Sequence, residues 1–482
     1  MRATLPSDVE TAAPCPPAAV RAKRNQTHSR TARRAALRPA GAAAGGGQVR
    51  SVTRPASYPD GVVPARCGDH PAIQQMLLAV MHGPSALEFQ AAQDEPGYQP
   101  CDRLLVKAGD RVLAHVQLRR RTLQFGSATL PCVELQHLAT LPECRRKGLA
   151  RRLLAAAEQR AQAEGAVLLT AVAKAPEFFA RHGWARYGRP SYTEAGAREI
   201  LAQLQSPRDA GRPLLGPRPR PLNIRLWRHF ELRSLMRIYE QNTQGRFGPL
   251  VRSEVYWWWL MARKGYDSIY VAIDGPDSLG LEGVNSPIIG YAATKAGRIV
   301  ELLTAPQHPE AAIQLLARAS ADAIERDEHR VRYEAPPDDP LHALLQAAGG
   351  RACDAELDSG PTCVARWLQP ELLVARLCAE FARRARDAGL SAPCELGLHL
   401  AEGKFQLSLD PAAAQLAAGR LGRCHLLAPS LNLVSLLLGH ADLSRAEAEG
   451  KLAGSSRAAL DLARALFPPL PLWRPPLDDL PA

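Results

Sequence analysis

A unit of strand, short turn and amphipathic helix occurs twice in this 482-residue chain, and this repeat constrains the fold more than any other feature. The first copy reads VELQHLATLPECRRKGLARRLLAAA (133–157) and the second reads IVELLTAPQHPEAAIQLLARA (299–319). Both copies begin with a β-rich apolar run and end with apolar residues at helical spacing. A repeated strand–helix unit predicts two domains that share one mixed α/β architecture.

Composition shifts and Pro-rich stretches divide the rest of the chain. Strand and helix patterns surround each copy of the repeat, and a stretch rich in Pro, Gly and Arg separates the two. A further segment combines helices with a hairpin and ends in a Pro-rich tail. We therefore expect a basic tail at 1–57, α/β domains at 61–190 and 222–368, a linker at 206–221, and an α+β domain at 370–482.

The net charge of +12 comes mainly from the first 57 residues, which hold ten Arg or Lys and only two acidic residues. This segment is rich in Ala, Pro and Gly and almost lacks large apolar residues, so its composition predicts disorder. It also lacks the apolar core of a secretory signal. The remaining chain is nearly balanced in charge, and its basic character therefore does not indicate a nucleic-acid-binding fold.

Ten cysteines are scattered along the chain without a CxxC pair or a spacing typical of zinc sites. A chain of this length builds its cores without disulfides, so we expect reduced thiols, no metal site and a cytoplasmic location. No apolar run of about 18 residues occurs, and therefore we expect no membrane span.

The turn of the first copy, CRRKG (144–148), places cations at the start of a helix. Acidic residues are favoured there, because the first helical turn has unpaired N–H groups and a partial positive charge. Cations, free N–H groups and a glycine that lets a ligand approach indicate an anion site, with phosphate as the expected anion. The alternative is a solvated basic turn. The second copy has QHPEAA at this point, so we expect it to keep the fold and to have lost the anion site.

The first copy and its surroundings resemble the GNAT superfamily of N-acetyltransferases. The family signature R/Q-x-x-G-x-G/A stands here as RRKGLA (145–150), preceded by LATLP and followed by the strand AVLLTAV and by PEFFARHGW. The whole chain resembles the enhanced-intracellular-survival type of bacterial acetyltransferase. That type has an active GNAT domain, a degenerate GNAT domain and a sterol-carrier-like domain. The stretches LLLGH and ALFP and the tail with its Trp and acids match the sterol-carrier-like domain. The resemblance implies an α/β (α+β) fold with tandem GNAT-like mixed sheets, the second degenerate, followed by a sterol-carrier-like α+β domain.

The resemblance also implies acetyl-CoA as the co-substrate. Backbone N–H groups of residues 146–150 would hold its pyrophosphate, and the arginines of the turn would add positive charge. The strand edge before the turn would pair with the pantetheine amides, as an added strand does. The expected cofactor-binding residues are Leu138, Thr140, Arg145, Arg146, Lys147, Gly148, Leu149 and Ala150.

Acetyl transfer needs a base that takes a proton from the amine and an acid that protonates the departing thiolate. Glu134, on the strand before the turn, matches the position of the general base in several GNAT enzymes; the alternative is a strand-end glutamate in water. The tyrosine that often acts as the acid in this family is replaced here by Phe179. Water or a residue such as Tyr187 or Tyr192 would then supply the proton, or the reaction would use no acid at all; alternatively the domain would bind acetyl-CoA and turn over poorly.

The C-terminal carboxylate of the resembled family reaches the active site and acts as a base. Here the carboxylate of Ala482 follows Asp478 and Asp479, and these groups would serve as a base or hold a cationic amine. A loose acidic tail is the alternative. A Pro-rich segment that contains Trp473 has little entropy to lose on docking, which favours a docked tail.

The expected function is direct transfer of an acetyl group from acetyl-CoA to a primary amine of a small molecule or peptide. Lysine side chains, polyamines and aminoglycosides all fit as acceptors. The alternatives are a non-catalytic sensor that binds acyl-CoA, and a lipid or acyl carrier that acts through the C-terminal domain. We expect no nucleic-acid or membrane partner, and the rings formed by the resembled family imply a homo-oligomer.

Overall fold

Three β-sheets organise the described part of the chain. The computed structural model describes residues 61–188, 192–205, 221–275, 287–353, 362–390, 393–410 and 412–481. The predictions for the tail at 1–57, for nearly all of the linker at 206–221 and for Ala482 therefore lie outside the described residues. The strands within these ranges are, in chain order, β1 (Val62–Pro64), β2 (Arg103–Ala108), β3 (Arg111–Phe125), β4 (Ala128–Thr140), β5 (Leu168–Ala173), β6 (Ala185–Gly188), β7 (Tyr192–Gly196), β8 (Asn223–Leu226), β9 (Phe247–Leu250), β10 (Ser268–Ile273), β11 (Ile288–Lys295), β12 (Arg298–Thr304), β13 (Arg330–Tyr333), β14 (Arg351–Cys353), β15 (Thr362–Trp367), β16 (Cys394–Leu400), β17 (Gly403–Leu409), β18 (Ala414–Ala418), β19 (His425–Leu427) and β20 (Ala453–Gly454).

Helices cover the faces of these sheets and bury one apolar side each. Among the described residues they are α1 (His70–Met81), α2 (Ala86–Gln93), α3 (Leu149–Ala163), α4 (Pro176–Ala180), α5 (Ala197–Gln205), α6 (Leu232–Thr243), α7 (Glu254–Ala262), α8 (Ala311–Glu325), α9 (Leu341–Ala347), α10 (Pro370–Arg376), α11 (Cys378–Asp387), α12 (Leu433–Leu437), α13 (Leu443–Ala448) and α14 (Arg457–Leu466). None of these helices combines the length and the apolar character that crossing a membrane requires.

The first sheet contains the first copy of the repeat. Its strand order is β1-β2-β3-β4-β5-β15-β6, with β9 paired to β3. β4 and β5 are parallel, and α3 connects them, because parallel neighbours need a crossover. On one face of the sheet, α1 and α3 bury apolar side chains against the strands, among them Ile73, Leu77, Leu153 and Leu154.

β15 belongs to this first sheet, although we predicted it as the last strand of the domain at 222–368. It pairs with β5 over its whole length and also with β6, and thus lies between them. In return β7, which directly follows the first domain in sequence, pairs with β13 and β14 in the second sheet. The two repeats therefore exchange a strand. Short apolar runs such as these fit either sheet edge, and only long-range pairing decides between the edges.

The second sheet repeats the architecture of the first. Its order is β14-β7-β13-β12-β11-β10-β8, and β12 and β13 are parallel with α8 as their crossover. α8 packs on one face, whereas α6 and α7 pack on the other with Trp257 and Trp259 buried. A second mixed sheet with the same strand–helix–strand unit confirms the predicted tandem mixed α/β fold.

The third sheet has the order β18-β17-β16-β19-β20 and is covered by α10, α11 and α14, while α12 contacts β6 and β15 of the first sheet. The predicted hairpin is present as β16 and β17, while the single helix predicted after residue 370 is divided into α10 and α11. The core of this region is continuous with the first sheet, since Phe381 and Leu398 belong to the same cluster as Phe125 and Leu130. Its relationship to sterol carriers stays a prediction.

The C-terminal segment, residues 470–481, is docked between the first and second sheets. The N–H of Trp473 donates to the carbonyl of Phe247 at 2.9 Å. A 3₁₀ turn, Pro476–Asp479, contacts β12. Trp473, Leu477 and Leu480 are buried in the cluster that α6 and α7 form with the second sheet. The segment is thus packed against both repeats and is not a loose tail.

Candidate active site

A cavity of about 1700 Å³ lies where the first sheet, α2, α7 and the C-terminal segment meet. The CRRKG turn, β4 and β5 form one wall, and Trp473, Arg474 and Asp479 form part of another. Buried polar groups in proteins normally have hydrogen-bond partners, so groups without one indicate a place for water or ligand. Several such atoms among the described residues belong to side chains that line this cavity: Glu134 Oε2, His137 Nδ1, Thr140 Oγ1, Thr170 Oγ1 and Arg474 Nε.

β4 and β5 separate within the cavity wall. They pair only as far as Leu135 and Ala171, whereas β4 stays paired with β3 as far as Thr140. The edge of β4 that faces β5 is therefore open from residue 136 onwards. An open strand edge binds an extended ligand through main-chain hydrogen bonds. Leu138 and Thr140 line the cavity at this edge, as a pantetheine-binding role requires.

A β-bulge at His137 accompanies the separation. The pairing register of β3 and β4 shifts here, and His137 has a left-handed φ of 52°. His115 Nδ1 lies 2.9 Å from the carbonyl of His137, and its Nε2 lies 3.2 Å from the guanidinium of Arg103. Because a guanidinium can only donate, Nε2 accepts from Arg103. The ring proton therefore lies on Nδ1, which donates to the carbonyl of His137. Burial and Arg103 lower the pKa of His115 well below its usual value, which keeps the ring neutral.

The CRRKG turn enters α3 through two residues with left-handed φ, Arg146 at 61° and Gly148 at 77°. Gly148 is the N-cap of α3 and has no side chain with which to cap the first-turn N–H groups. A Cβ added to Gly148 would have no described atom within 4 Å, apart from those of its chain neighbours, so the space above the glycine is open. Converging N–H groups with open space above them fit a pyrophosphate.

The cations of the turn are available to a ligand. Arg145, Arg146 and Lys147 are exposed, and none of them forms an ion pair with a described carboxylate. Unpaired cations beside an open helix N-terminus fit the charge of a diphosphate. Lys147 lies at the turn but outside the cavity lining. The other predicted cofactor-binding residues line it together: Leu138, Thr140, Arg145, Arg146, Gly148, Leu149 and Ala150.

Glu134, the predicted base, is held inside the protein by three arginines. One carboxylate oxygen lies 2.9 Å from Arg474, and the other lies 3.6 Å from Arg121 and 4.0 Å from Arg119. Burial alone would raise the pKa of this carboxyl, but the three guanidiniums outweigh burial and lower it to about 2. A carboxylate with so low a pKa accepts a proton poorly. Its geometry therefore favours an electrostatic and structural role for Glu134.

A buried network of alternating charges surrounds this glutamate. Arg119 Nε donates to Glu95 at 2.7 Å, and Arg121 pairs with the same carboxylate. At the other end, Arg474 connects Glu134 with Asp479. Three cations and three anions cancel, which is the condition under which charges are tolerated inside a protein. The members are Glu95, Arg119, Arg121, Glu134, Arg474 and Asp479.

Asp479 lines the cavity together with Arg119, Glu134 and Arg474, and it has the most exposed side chain of the network. Its side chain is 34% exposed and lies 2.7 Å from Arg474. Burial raises the pKa of Asp479 above its usual value; Arg474 acts against this, while Glu134 and Asp478 raise the pKa further. A carboxylate with a raised pKa at the cavity is suited to accept a proton. The predicted role of Ala482 stays a prediction, because that residue lies outside the described ranges.

Phe179 occupies the place where the resembled family often has its acid. Its ring is 8% exposed and packs edge-on against Trp184, with 5.1 Å between ring centroids. Tyr192, one of the two predicted substitutes, lies on β7 with the guanidinium of Arg332 3.5 Å above its ring. This places Tyr192 in the second sheet, outside the cavity lining.

Tyr187, the other predicted substitute, lines the cavity. Its hydroxyl interacts with the thiol of Cys363, which pairs across the sheet with Val172 beside the opening between β4 and β5. Burial raises the pKa of Tyr187 well above its usual value. Its hydroxyl therefore stays protonated and can donate a hydrogen bond.

The second copy of the repeat has an acidic residue where the first has its glycine. α8 begins directly after Glu310, which is its N-cap and lies 3.1 Å from the ring of His308. A carboxylate at a helix N-terminus stabilises the helix and repels an anion. This arrangement agrees with the predicted loss of the anion site.

The arginines that organise the site were not identified from the sequence. Arg474 lies in a Pro-rich tail, and its local pattern resembles that of any exposed arginine. Arg119 and Arg121 did carry a signal, since alternate positions of a strand face the same side of a sheet. Two charges on one face of a long strand indicate either a solvated face or a paired network, and the sequence alone does not decide between them.

Comparison with protein families matches residues 63–187 to a family described as an acetyltransferase (GNAT) domain. The match includes β2 to β5, the CRRKG turn, α3 and most of β1 and β6. A comparison with curated proteins finds no significant match.

Solved structures show the same fold at low sequence identity. A GCN5-related N-acetyltransferase from Kribbella flavida has 15% identity and a TM-score of 0.61, and the alignment covers 86% of this chain and 98% of that one. A probable N-acyltransferase from Enterococcus faecalis has 12% identity and a TM-score of 0.63, with 85% and 96% covered. Eis1 from Mycobacterium abscessus has 16% identity and a TM-score of 0.56, with 86% and 98% covered. At this identity the likeness shows the fold alone.

Proposed function

Since residues 63–187 form a GNAT acetyltransferase domain, we propose that the chain is an acetyl-CoA-dependent N-acetyltransferase that transfers the acetyl group directly to a primary amine. One observation carries this proposal: a single cavity joins the CRRKG turn, the open edge of β4 and the carboxylate of Asp479. A donor site and a proton acceptor in one cavity are what direct transfer requires.

The donor is held by backbone groups more than by side chains. The N–H groups of residues 146–150 bind the pyrophosphate, with Arg145 and Arg146 adding charge. Leu138 and Thr140 pair with the pantetheine amides along the open strand edge. When bound, acetyl-CoA supplies a thioester whose carbonyl carbon is attacked by the amine. The bulge at His137 keeps the edge open at the required position.

Asp479 takes the proton from the amine in this proposal, and Glu134 does not. Both carboxylates contact Arg474, but only Asp479 combines exposure to the cavity with a raised pKa. Glu134 instead holds Arg474 and the neighbouring guanidiniums in place. An acceptor amine arrives as an ammonium ion, which Asp479 attracts before it accepts the proton.

Tyr187 assists the departing thiolate in place of the missing acid at Phe179. Tyr187 lines the cavity, and in this proposal its protonated hydroxyl turns from Cys363 to donate a hydrogen bond to the sulfur as the C–S bond breaks. A hydrogen bond to a developing charge lowers the barrier without full proton transfer.

The acceptor enters on the side of α2 and α7. Glu88, Ala91 and Trp259 line this end of the cavity. An acid and an aromatic ring suit a cationic amine carried on a larger body. Lysine side chains, polyamines and aminoglycosides remain the candidate acceptors. We place the reaction in the cytoplasm, because the nine cysteines of the described ranges are all unpaired.

A non-catalytic sensor of acyl-CoA is the second candidate, and the packed ring of Phe179 favours it. Such a sensor would bind acetyl-CoA as tightly as an enzyme does but would release no CoA with any amine. The carrier alternative receives less support, because Leu433, Leu436 and Leu437 of α12 are fully buried in the core shared with the first sheet.

Calorimetric titration with acetyl-CoA tests the proposal first. We expect micromolar binding by the natural chain and none by an Arg145→Ala/Arg146→Ala/Gly148→Asp variant. An Arg420→Ala/Arg423→Ala variant, which removes two exposed arginines of the third region, is the matched control and should bind normally. No binding by the folded natural chain would overturn the proposal.

A thiol assay for released CoA then separates the enzyme from the sensor. Polyamines, aminoglycosides and lysine peptides serve as acceptors, and Asp479→Asn serves as the catalytic variant. Release with at least one amine that falls in this variant supports the enzyme. Binding without release from any amine supports the sensor.

A further inference from the structure

We infer that the second repeat, which lacks the anion turn, anchors the C-terminal segment: Arg252, held by Glu301, clamps Asp478 and so positions Asp479 in the cavity. The catalytic part of this inference rests on the proposed function, because it assigns Asp479 the proton transfer. The anchoring part rests on contacts alone. Arg252 is thus a positioning residue, since it lies outside the cavity lining and acts through the segment it holds.

Arg252 is enclosed completely and has two carboxylate partners. Its Nη1 and Nη2 lie 3.0 and 2.6 Å from the two oxygens of Glu301. Its Nε and Nη2 lie 3.0 Å from the two oxygens of Asp478. The side chains of all three residues are buried, and two-pronged pairing of this kind is the strongest and most directional form of ion pair.

Aromatic residues complete the clamp around the guanidinium. Its carbon lies 3.9 Å from the ring centre of Tyr239 and 4.6 Å from that of Trp257. The hydroxyl of Tyr256 donates to Asp478 at 3.1 Å, and that of Tyr291 donates to Glu301 at 2.6 Å. These donors satisfy the carboxylate oxygens, which burial would otherwise penalise. The clamp is therefore a built site for the carboxylate of the C-terminal segment.

The neighbouring acids of the segment have opposite environments. Asp478 is 1% exposed and enters the second repeat, whereas Asp479 is directed to the cavity and to Arg474. Arg474 in turn reaches Glu134 of the first repeat at 2.9 Å. The segment is thus held by the glutamate of β4 at one end and, through Arg252, by the glutamate of β12 at the other.

Two further contacts hold the same stretch of chain. Arg263 Nη2, at the end of α7, donates to the carbonyls of Leu477 and Asp478 at 2.5 and 3.1 Å. A Cβ on Gly265 would lie 2.6 Å from the carbonyl oxygen of Pro481, so only glycine permits this approach. Both residues belong to the second repeat, which agrees with its role as the anchor.

Hydrogen exchange measured on the full chain tests the anchor without any need for turnover. Asp478→Asn removes one charge of the clamp but leaves Arg252 paired with Glu301, so the second sheet keeps its ion pair. We expect the amide of Trp473 and its neighbours to exchange about 100-fold faster, since breaking one side of a buried pair frees the segment. Exchange within twofold of the natural chain would overturn the inference.

Matched variants distinguish anchoring from a general loss of stability. Asp461→Asn changes an exposed acid of α14 and should leave exchange in residues 470–481 unchanged. Gly265→Ala leaves every buried charge in place and should still speed exchange there, because the new methyl group displaces Pro481. If Asp478→Asn speeds exchange equally in all three sheets, the clamp is only a general stabiliser and the inference fails.

The pH dependence of kcat/KM tests the positioning of Asp479. The charged and titratable groups around it are Arg474 and Asp478 from its own segment, Glu134 from β4, Arg119 from β3, Arg263 at the end of α7 and Cys363 from β15. A released segment loses the burial that raises the pKa of Asp479, so the acid limb of the profile should move to lower pH in Asp478→Asn while kcat falls. The Kd for acetyl-CoA should stay within twofold. An unmoved acid limb would contradict the positioning role.

The outcomes separate the two proposals. If the natural chain releases no CoA but Asp478→Asn still frees the segment, the proposed function fails and the anchor stands. If the chain is active and exchange in the segment is unchanged, the proposed function stands and the anchor fails.

Discussion

The two copies of the repeat differ by a few residues and hold different partners. Between the shared VEL of the strand and the following proline, the first copy has the six residues QHLATL (136–141) and the second has the three residues LTA (303–305). The residues absent from the second copy correspond to the stretch with the bulge at His137. The turn that follows is also shorter and ends in Glu310 where the first ends in Gly148. β12 also separates from β13, after Ile299, so an open strand edge is common to both copies. The copies differ in the turn, which has cations and a glycine in the first copy and ends in an acid in the second.

The glutamate of each VEL is used in a related way. Glu134 and Glu301 are both buried, each contacts an arginine, and each arginine contacts an acid of the C-terminal segment. In the first copy the result faces a cavity, and in the second it is enclosed completely. Because the strand and helix carry the apolar pattern, the fold survives loss of the turn. The same charged position then holds an arginine beside the cavity in one copy and an enclosed arginine in the other.

Replacing Gly148 of the first turn by the acidic residue that the second copy has at this position should produce the largest effect on acetyl-CoA binding. Gly148→Glu places a carboxylate at the phosphate site and a side chain at a φ of 77°. We expect acetyl-CoA affinity to fall on the order of 1000-fold, through charge repulsion and left-handed strain. Calorimetry measures this loss. Glu310→Gln in the second copy is the control, and a comparable loss there would contradict the assignment of the cofactor to the first copy.

Removing the charge of Glu134 should change stability with a defined pH dependence. The pKa of this carboxyl is about 2 in the folded chain against 4.5 ordinarily. Its stabilisation is therefore present above pH 4.5 and is lost as the pH falls towards 2, and it amounts to about 3 kcal/mol. Urea unfolding of Glu134→Gln and of the natural chain measures the difference, which should be largest at neutral pH and nearly absent at pH 2.

Asp479 changes the pH dependence of stability in the opposite direction. Its pKa is raised in the folded chain, so protonation of this carboxyl favours the folded state as the pH falls. Asp479→Asn should therefore make the loss of stability on acidification steeper, whereas Glu134→Gln makes it shallower. Equal slopes in the two variants would contradict the different environments assigned to these carboxylates.

Asp479→Asn should also lower kcat by about 100-fold, the lower end of what general base catalysis contributes. The Kd for acetyl-CoA should not change, since Asp479 lies away from the CRRKG turn. Steady-state kinetics with a responsive amine, together with calorimetry, measure both quantities. A lower affinity for acetyl-CoA with an unchanged kcat would assign Asp479 to the donor site instead.

The smallest effect is expected from the residue behind the bulge. His115→Phe removes the donor to the carbonyl of His137 and lets the strand edge relax. Acetyl-CoA affinity should fall about tenfold, the loss of roughly one hydrogen bond that orders the edge. His399→Phe on the third sheet is the control and should leave affinity unchanged. An unaltered affinity in His115→Phe would show that the bulge persists without this bond.

Local pattern was sufficient for most elements and for a set of residues that the structure brings together in one cavity. Apolar spacing predicted α1, α3 and α8 and the strands β4, β5 and β12, because the burial of one face dictates a period of 3.6 or 2 residues. The cations and glycine of CRRKG indicated an anion site, since a helix N-terminus binds anions through groups adjacent in sequence. Seven predicted residues line one cavity for this reason.

The sequence by itself determined most of the strands and helices and placed cations and a glycine at the start of α3, because those properties arise between neighbouring residues. Only the tertiary structure decided that β7 and β15 change sheets, that Arg474 neutralises Glu134, and that Asp478 enters the second repeat while Asp479 faces the cavity. These contacts join residues hundreds of positions apart, and many pairings of arginines with acids satisfy the same composition. Packing selects one of them, since a buried charge is stable only where its partner is placed beside it.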